Sequence, residues 1–173
     1  MKEPKVFFHG SAELATKPYQ YKECGLPNVY LMNGFSMEEY DGEEYVSVEN
    51  VEALWKAIGL NLITSQKMLM PTEVRFLRNQ MGFTQAELAH LLRVDDQTVA
   101  RWEKGLSKVP GPADVALRML FLAAPVAQPE GKKVLTRFID LMDELVETDT
   151  PADDRVLFAQ NGEKWEREQL VDC

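Results

Sequence analysis

The stretch that decides the fold is "MGFTQAELAHLLRVDDQTVARWEKGLSKVPGP", Met81 to Pro112. Thr84 and Glu87 stand three residues apart at the head of an apolar run. In that arrangement each side chain satisfies a backbone N–H of the other, so a helix is expected from Gln85. Ala86, Leu88, Ala89 and Leu92 recur at three- and four-residue spacing and are expected to bury one face, with Ala89 small enough for a close helix crossing. The helix is expected to stop at Arg93. Val94 then plugs a turn, Asp95 satisfies an orphan N–H of a second helix, and Val99 and Trp102 point inward at i, i+3 spacing. Gly105 is placed as a left-handed stop.

Two short helices, a three- to four-residue turn and an anchored second helix make a helix-turn-helix. With Val99 and Trp102 inward, Asp96, Gln97, Thr98 and Arg101 face out on the first turns of the second helix, which is the part that enters the major groove in this motif. Arg101 can pair with guanine O6 and N7, Gln97 with adenine N6 and N7, and Asp96 can accept from cytosine N4. Lys104 and Lys108 are candidate phosphate contacts that position without reading sequence. Each has a plainer alternative: Asp95 is read as a cap only, and Arg101 has Glu103 and Asp96 within reach as salt-bridge partners.

The pattern G-x-T-Q-x-E-L-A-x-x-L-x-V-x-x-x-T-V-x-x-W-E-x-G is carried here by Gly82, Thr84, Gln85, Glu87, Leu88, Ala89, Leu92, Val94, Thr98, Val99, Trp102, Glu103 and Gly105. It resembles the phage-repressor and Cro-like helix-turn-helix family of the xenobiotic-response-element (XRE) type. The resemblance implies a lambda-repressor-like five-helix domain over residues 69–125, with Gln85 as the family's phosphate-contacting glutamine. It also implies that Glu103 is a structural hydrogen-bond partner rather than a reader. "GPADVALRMLFL", Gly111 to Leu122, continues the resemblance as a helix carrying core and part of a dimer contact.

Upstream, "YKECGLPNVYLMNG", Tyr21 to Gly34, has two X-x-x-X-Gly units spaced like zinc knuckles. The four X positions are Tyr21, Cys24, Tyr30 and Asn33, and a structural zinc site needs four N, S or O ligands. No metal and no other cofactor is therefore expected. With the motif downstream, the order of units resembles MqsA-type antitoxins and YgiT-type zinc-finger regulators over roughly residues 18–124. That resemblance implies a homodimer that represses transcription at a palindromic operator on double-stranded DNA. It also implies a cognate toxin protein as partner.

The remainder is less specific. Residues 1–68 read as a small β-rich unit plus a helix, with extended candidates at Tyr19–Lys22, Asn28–Leu31 and Glu44–Ser47. Ser47 is expected to cap a helix whose apolar positions include Val48, Val51, Leu54, Trp55, Ile58 and Leu62, ending near Thr64–Lys67. Pro71 opens the next helix, with Thr72 as its cap and Val74, Phe76 and Leu77 as its buried stripe, and Gly82 ends it. Residues 126–173 read as a helix, "KKVLTRFIDLMDELVE", and a hairpin signalled by Asn161-Gly162, which dimerise the protein or dock on its N-terminal unit. The expected class is α+β, mainly α.

Composition sets the outer bounds. The 173 residues carry a net charge of −9, which on its face disfavours nucleic acid. Residues 71–124 hold seven basic and six acidic groups, whereas the flanks hold 12 and 22, so any DNA-binding surface is expected in the middle. No run approaches the ~18 apolar residues that cross a bilayer. "MKEPKVFFHG" lacks the apolar core of a signal peptide, so the cytoplasm is the expected compartment. Cys24 and Cys173 supply no disulfide framework. His9 and His90 are the only imidazoles, and no Cys/His/Asp arrangement has useful spacing, so an enzyme is not expected. The competing reading is an interaction protein, an adaptor whose acidic flanks hold a basic partner and for which DNA binding is secondary.

Overall fold

A computed structural model of the protein describes residues 7–9, 17–65, 67–127 and 155–168. Their contacts separate into two compact units. Of these residues, the first gathers 7–9, 17–23, 27–57 and 155–168, and the second gathers 24–26, 58–65 and 67–127. The expected helix Lys132–Glu147 lies outside the described residues.

The first unit contains two sheets. Strands β1 (Phe7–His9), β4 (Phe35–Tyr40) and β5 (Glu43–Val48) form an antiparallel sheet in the order β1-β4-β5. Strands β2 (Tyr19–Gln20), β3 (Val29–Leu31), β6 (Val156–Asn161) and β7 (Lys164–Glu168) form the other, in the order β2-β3-β6-β7. The β3–β6 pair is parallel and joins residues more than 120 positions apart, so the C-terminal hairpin is built onto the N-terminal strands. Leu31, Phe35, Leu54, Phe158 and Trp165 are among its buried side chains.

Two local expectations are corrected in this unit. Ser47 and Val48 lie in β5, not at the head of a helix; α1 runs Val51–Thr64, and its first turn is held by Asn50 Oδ1, which accepts from the N–H of Ala53. The hairpin loop is Gly162-Glu163, because Asn161 pairs with Lys164 as the last strand residue. Of the two loop residues only Gly162 has a positive φ, +62°, as a type II′ turn requires. A hairpin that the sequence reading does not include joins β4 and β5 around Asp41-Gly42. Both residues have positive φ, 53° and 81°, the type I′ geometry for which Asp-Gly is well suited. Beyond the base of this hairpin every residue from Glu38 to Tyr45 is exposed.

The knuckle-like segment is held by hydrogen bonds and packing. The Tyr21 hydroxyl accepts from Trp55 Nε1 at 3.1 Å. The Asn33 side chain extends the β3–β6 ladder, donating to the Gln160 carbonyl at 3.1 Å and accepting from its N–H at 2.6 Å. The Arg155 guanidinium stands 5.4 Å over the Tyr30 ring. Gly34 (φ +70°) could carry no side chain: a Cβ there would lie 2.6 Å from Gln160 Oε1 and 2.7 Å from the Trp165 ring. Among the described residues no three His, Cys, Asp or Glu side chains stand together as metal ligands. Of the four knuckle positions, one is a thiol, and Tyr21, Tyr30 and Asn33 are engaged in these contacts.

In the second unit α2 (Pro71–Gln80), α3 (Gln85–Leu92), α4 (Asp96–Glu103) and α5 (Gly111–Ala123) follow in order, and the end of α1 from Ile58 clusters with them. Val74, Leu77, Leu88, Ala89, Val99, Trp102, Leu117 and Phe121 are buried. The cap of α2 is Met70, not Thr72, since Pro71 is already helical; the Glu73 carboxylate accepts from the Met70 N–H at 2.8 Å. The α3 stripe is narrower than expected, with Ala86 exposed and Leu92 only half-buried.

Candidate nucleic-acid interface

The geometry of the motif is fixed by local chemistry at each helix end. Thr84 Oγ1 accepts from the Glu87 N–H while the Glu87 carboxylate accepts from the Thr84 N–H at 2.7 Å, closing the capping box. The Glu87 carboxylate also accepts from the Thr84 hydroxyl at 2.9 Å, and the backbone bond first, then this one, hold its carboxyl below the usual range. Helix α3 ends at Arg93, in the left-handed conformation, and the Val94 N–H bonds back to the Ala89 carbonyl at 3.0 Å. Asp95 caps α4, accepting from the Gln97 N–H at 2.9 Å. At the far end Gly105 donates to Trp102 O and Leu106 to Arg101 O, the paired bonds of a Schellman stop.

This leaves α4 two-sided. Val99, Trp102 and Glu103 are buried, whereas Asp96, Gln97 and Arg101 are exposed and Thr98 is half-buried. Gln97, Arg101 and Lys104 follow one another at i, i+4 and i+7, so they share a face. Arg101 makes no ion pair with Glu103, Asp96 or any other described residue. Lys108 is exposed after the helix. Gln85, half-buried at the start of α3, donates through Nε2 to Glu103 Oε2 at 2.8 Å; an amide nitrogen carries two hydrogens, so one remains for another acceptor.

Glu103 is the hub that joins these parts. Its side chain is fully buried and receives Nε and Nη2 of Arg78, Nε2 of Gln85 and, at 3.6 Å, Nε of Arg75. Burial opposes its ionisation, but the hydrogen bonds of Arg78 and Gln85 and the charges of Arg78 and Arg75 outweigh it. The carboxyl is therefore held below its ordinary value. The expected structural role of Glu103 thus has a geometry: it ties the end of α4 to both α2 and the start of α3.

Burial also revises the charge balance. Of the acids in residues 71–124, Glu73, Glu103 and Asp114 are buried, and of the bases Arg118 is buried and Arg78 is committed to Glu103. The exposed groups are Arg75, Arg93, Arg101, Lys104 and Lys108 against Glu87, Asp95 and Asp96. The surface is thus more basic than the segment's total. The sequence makes Arg93 a helix stop and one of the segment's seven basic groups; the structure adds that it is exposed in the turn before α4.

Residues 74–116 match the helix-turn-helix family model, which is of the XRE type. No curated protein and no solved structure gives a significant match. The segment is therefore a helix-turn-helix domain, and the match supports a DNA-binding transcription regulator. No described helix is long and apolar enough to cross a membrane.

Proposed function

We propose that the protein is a sequence-specific repressor that binds a palindromic operator as a homodimer, with residues 69–125 as the DNA-binding module. The observation that carries this reading is the two-sided α4: a buried side of Val99, Trp102 and Glu103, and an exposed side of Gln97, Arg101 and Lys104. In the complex Asp96, Gln97, Thr98 and Arg101 face base edges, and Gln85, Lys104 and Lys108 hold phosphates. Two copies present their recognition helices about 34 Å apart, matching one turn of the duplex.

The test uses a palindrome selected from random duplex DNA by the full-length protein. Arg101→Ala is expected to lose about 1–3 kcal/mol of operator affinity, and the preference at one base position per half-site should relax. Affinities are to be compared at one stated salt concentration. Unchanged affinity and unchanged preference would rule out Arg101 as a reader.

A second reading, an antitoxin-like adaptor that neutralises a basic partner protein, is favoured by the arm at Glu38–Tyr45. It carries Glu38, Glu39, Asp41, Glu43 and Glu44 and no cation. Its register puts Tyr40 and Tyr45 on one face, and they are 72% and 52% exposed. Exposed tyrosines beside carboxylates suit lysine- and arginine-rich surfaces. Co-expression with the adjacent reading frame should yield a co-purifying product that Tyr40→Ala/Tyr45→Ala releases. Absence of any such product would remove this reading and leave the repressor intact.

A further inference from the structure

We infer that Arg93 is a DNA-contacting residue that holds a backbone phosphate beside the recognition helix. The inference rests on the reading of α4 as that helix.

Three helix ends in this unit close through a residue with positive φ: position 82 after α2, position 93 after α3 and position 105 after α4. Two are glycine, which adopts that conformation without steric cost. The third is Arg93, with φ +57°. An L side chain in this region crowds its own backbone, and arginine, unlike asparagine or aspartate, has no short polar group to offset the strain locally. The backbone bonds that close the turn, Arg93 N–H to His90 O at 3.3 Å and Val94 N–H to Ala89 O at 3.0 Å, need no side chain at all. Glycine would make them equally well.

No polar contact of the side chain compensates for the strain. The Arg93 side chain is exposed and makes no hydrogen bond or ion pair with any described residue. The nearby acidic groups in sequence are Asp95 and Asp96, also exposed, and Asp95 is occupied in capping α4. A strained conformation whose exposed side chain makes no polar contact with a described residue is a reason to look for function. Its place supplies one. Arg93 sits in the turn, three residues before α4 begins, so when the start of α4 lies in the major groove the turn lies at the groove's edge, where the phosphates are. A planar guanidinium can meet two phosphate oxygens at once.

The test compares wild type with full-length Arg93→Gly, measuring thermal stability and binding to both the selected operator and an unrelated duplex across a salt series. A phosphate role predicts opposite signs. Tm should rise, because the turn is relieved, while affinity for both duplexes falls by a similar factor of about ten near 0.1 M salt. The slope of log K against log salt should become shallower by about one. Unchanged affinity and slope in a wild type that binds DNA would overturn the inference and leave the repressor reading standing. A lower Tm would assign Arg93 a structural role and overturn it as well. A loss confined to the operator with an unchanged slope would replace the phosphate contact by a base contact. A wild type that binds neither duplex would remove the reading beneath it.

Discussion

Glu103→Ala is expected to cost the helix-turn-helix unit about 3–5 kcal/mol, the loss associated with removing one partner of a buried ion pair. The magnitude follows from what is left behind. Arg78, whose side chain is 13% exposed, would keep one partner, the Phe83 carbonyl at 2.8 Å, and lose the carboxylate that takes two of its nitrogens. Gln85 would lose its acceptor, and Arg75 would keep no charge partner among the described residues. Glu103→Gln keeps the shape and one acceptor oxygen, so its loss should be smaller, about 1–3 kcal/mol. Urea or thermal melts of the three proteins at neutral pH check the order. A Glu103→Ala variant as stable as wild type would mean that the cluster contributes no net stability.

The same carboxyl gives a pH signature. Its folded value lies below the ordinary 4.5, because the bonds and charges of Arg78, Gln85 and Arg75 outweigh the effect of burial. Over the acid range the unfolded chain therefore binds the proton more readily than the native one. The stabilisation is complete above the unfolded value and is lost as pH falls through the folded value. Wild type should lose stability below about pH 4.5, and Glu103→Gln, which cannot titrate, should lose less over the same interval.

The helix-turn-helix was legible because its determinants are local. Thr84 with Glu87, Asp95, Gly105 and the i, i+3 pair Val99 and Trp102 each act within a few residues, and periodicity exposes them directly. The Asp41-Gly42 turn was equally local, and a strand reading confined to apolar runs passed over it because Glu38, Glu39, Glu43 and Glu44 flank it. What could not be read was non-local. The β3–β6 pairing joins segments separated by most of the chain, and no pattern within β6 names its neighbour. Charges had the same limitation: a count treats Arg78, Arg101 and Arg118 alike, whereas folding sends two of them to buried carboxylates and leaves Arg101 exposed without an ion pair among the described residues. For the candidate site, periodicity could place residues on the outer face of α4. It could not weigh Arg93, whose strain is a property of backbone angle rather than composition.

Arg118→Ala should rival Glu103→Ala in destabilisation, about 3–5 kcal/mol, through a site with no outward-facing side chain. Arg118 is 1% exposed on α5 and pairs with Asp114 one turn earlier, also 1% exposed. Its remaining donors reach the carbonyls of Leu62 at 3.3 Å, Ile63 at 2.9 Å, Ser65 at 2.9 Å and Lys67 at 2.6 Å. The first two belong to the last turn of α1, where i→i+4 partners run out and Leu62 is served by Ser65, and the others to the segment leading to α2. Asp114 completes the arrangement by accepting from the Leu69 N–H at 2.7 Å. Alanine would leave the buried Asp114 carboxylate without its cation and take a donor from the carbonyls of Ile63, Ser65 and Lys67, while the Leu62 carbonyl keeps the Ser65 N–H and hydroxyl. Lysine would not rescue it, since one ammonium with three donors cannot reproduce a five-donor fork. Asp114→Asn neutralises the anion while keeping an acceptor for Leu69, so combined with Arg118→Ala it should cost less than the sum of the two single changes by about 1–3 kcal/mol. Additive losses in denaturant melts would show that the two side chains act independently. Because neither side chain reaches the surface, each variant should retain wild-type operator affinity at temperatures where it is folded, which separates this lock from the outward residues of α4.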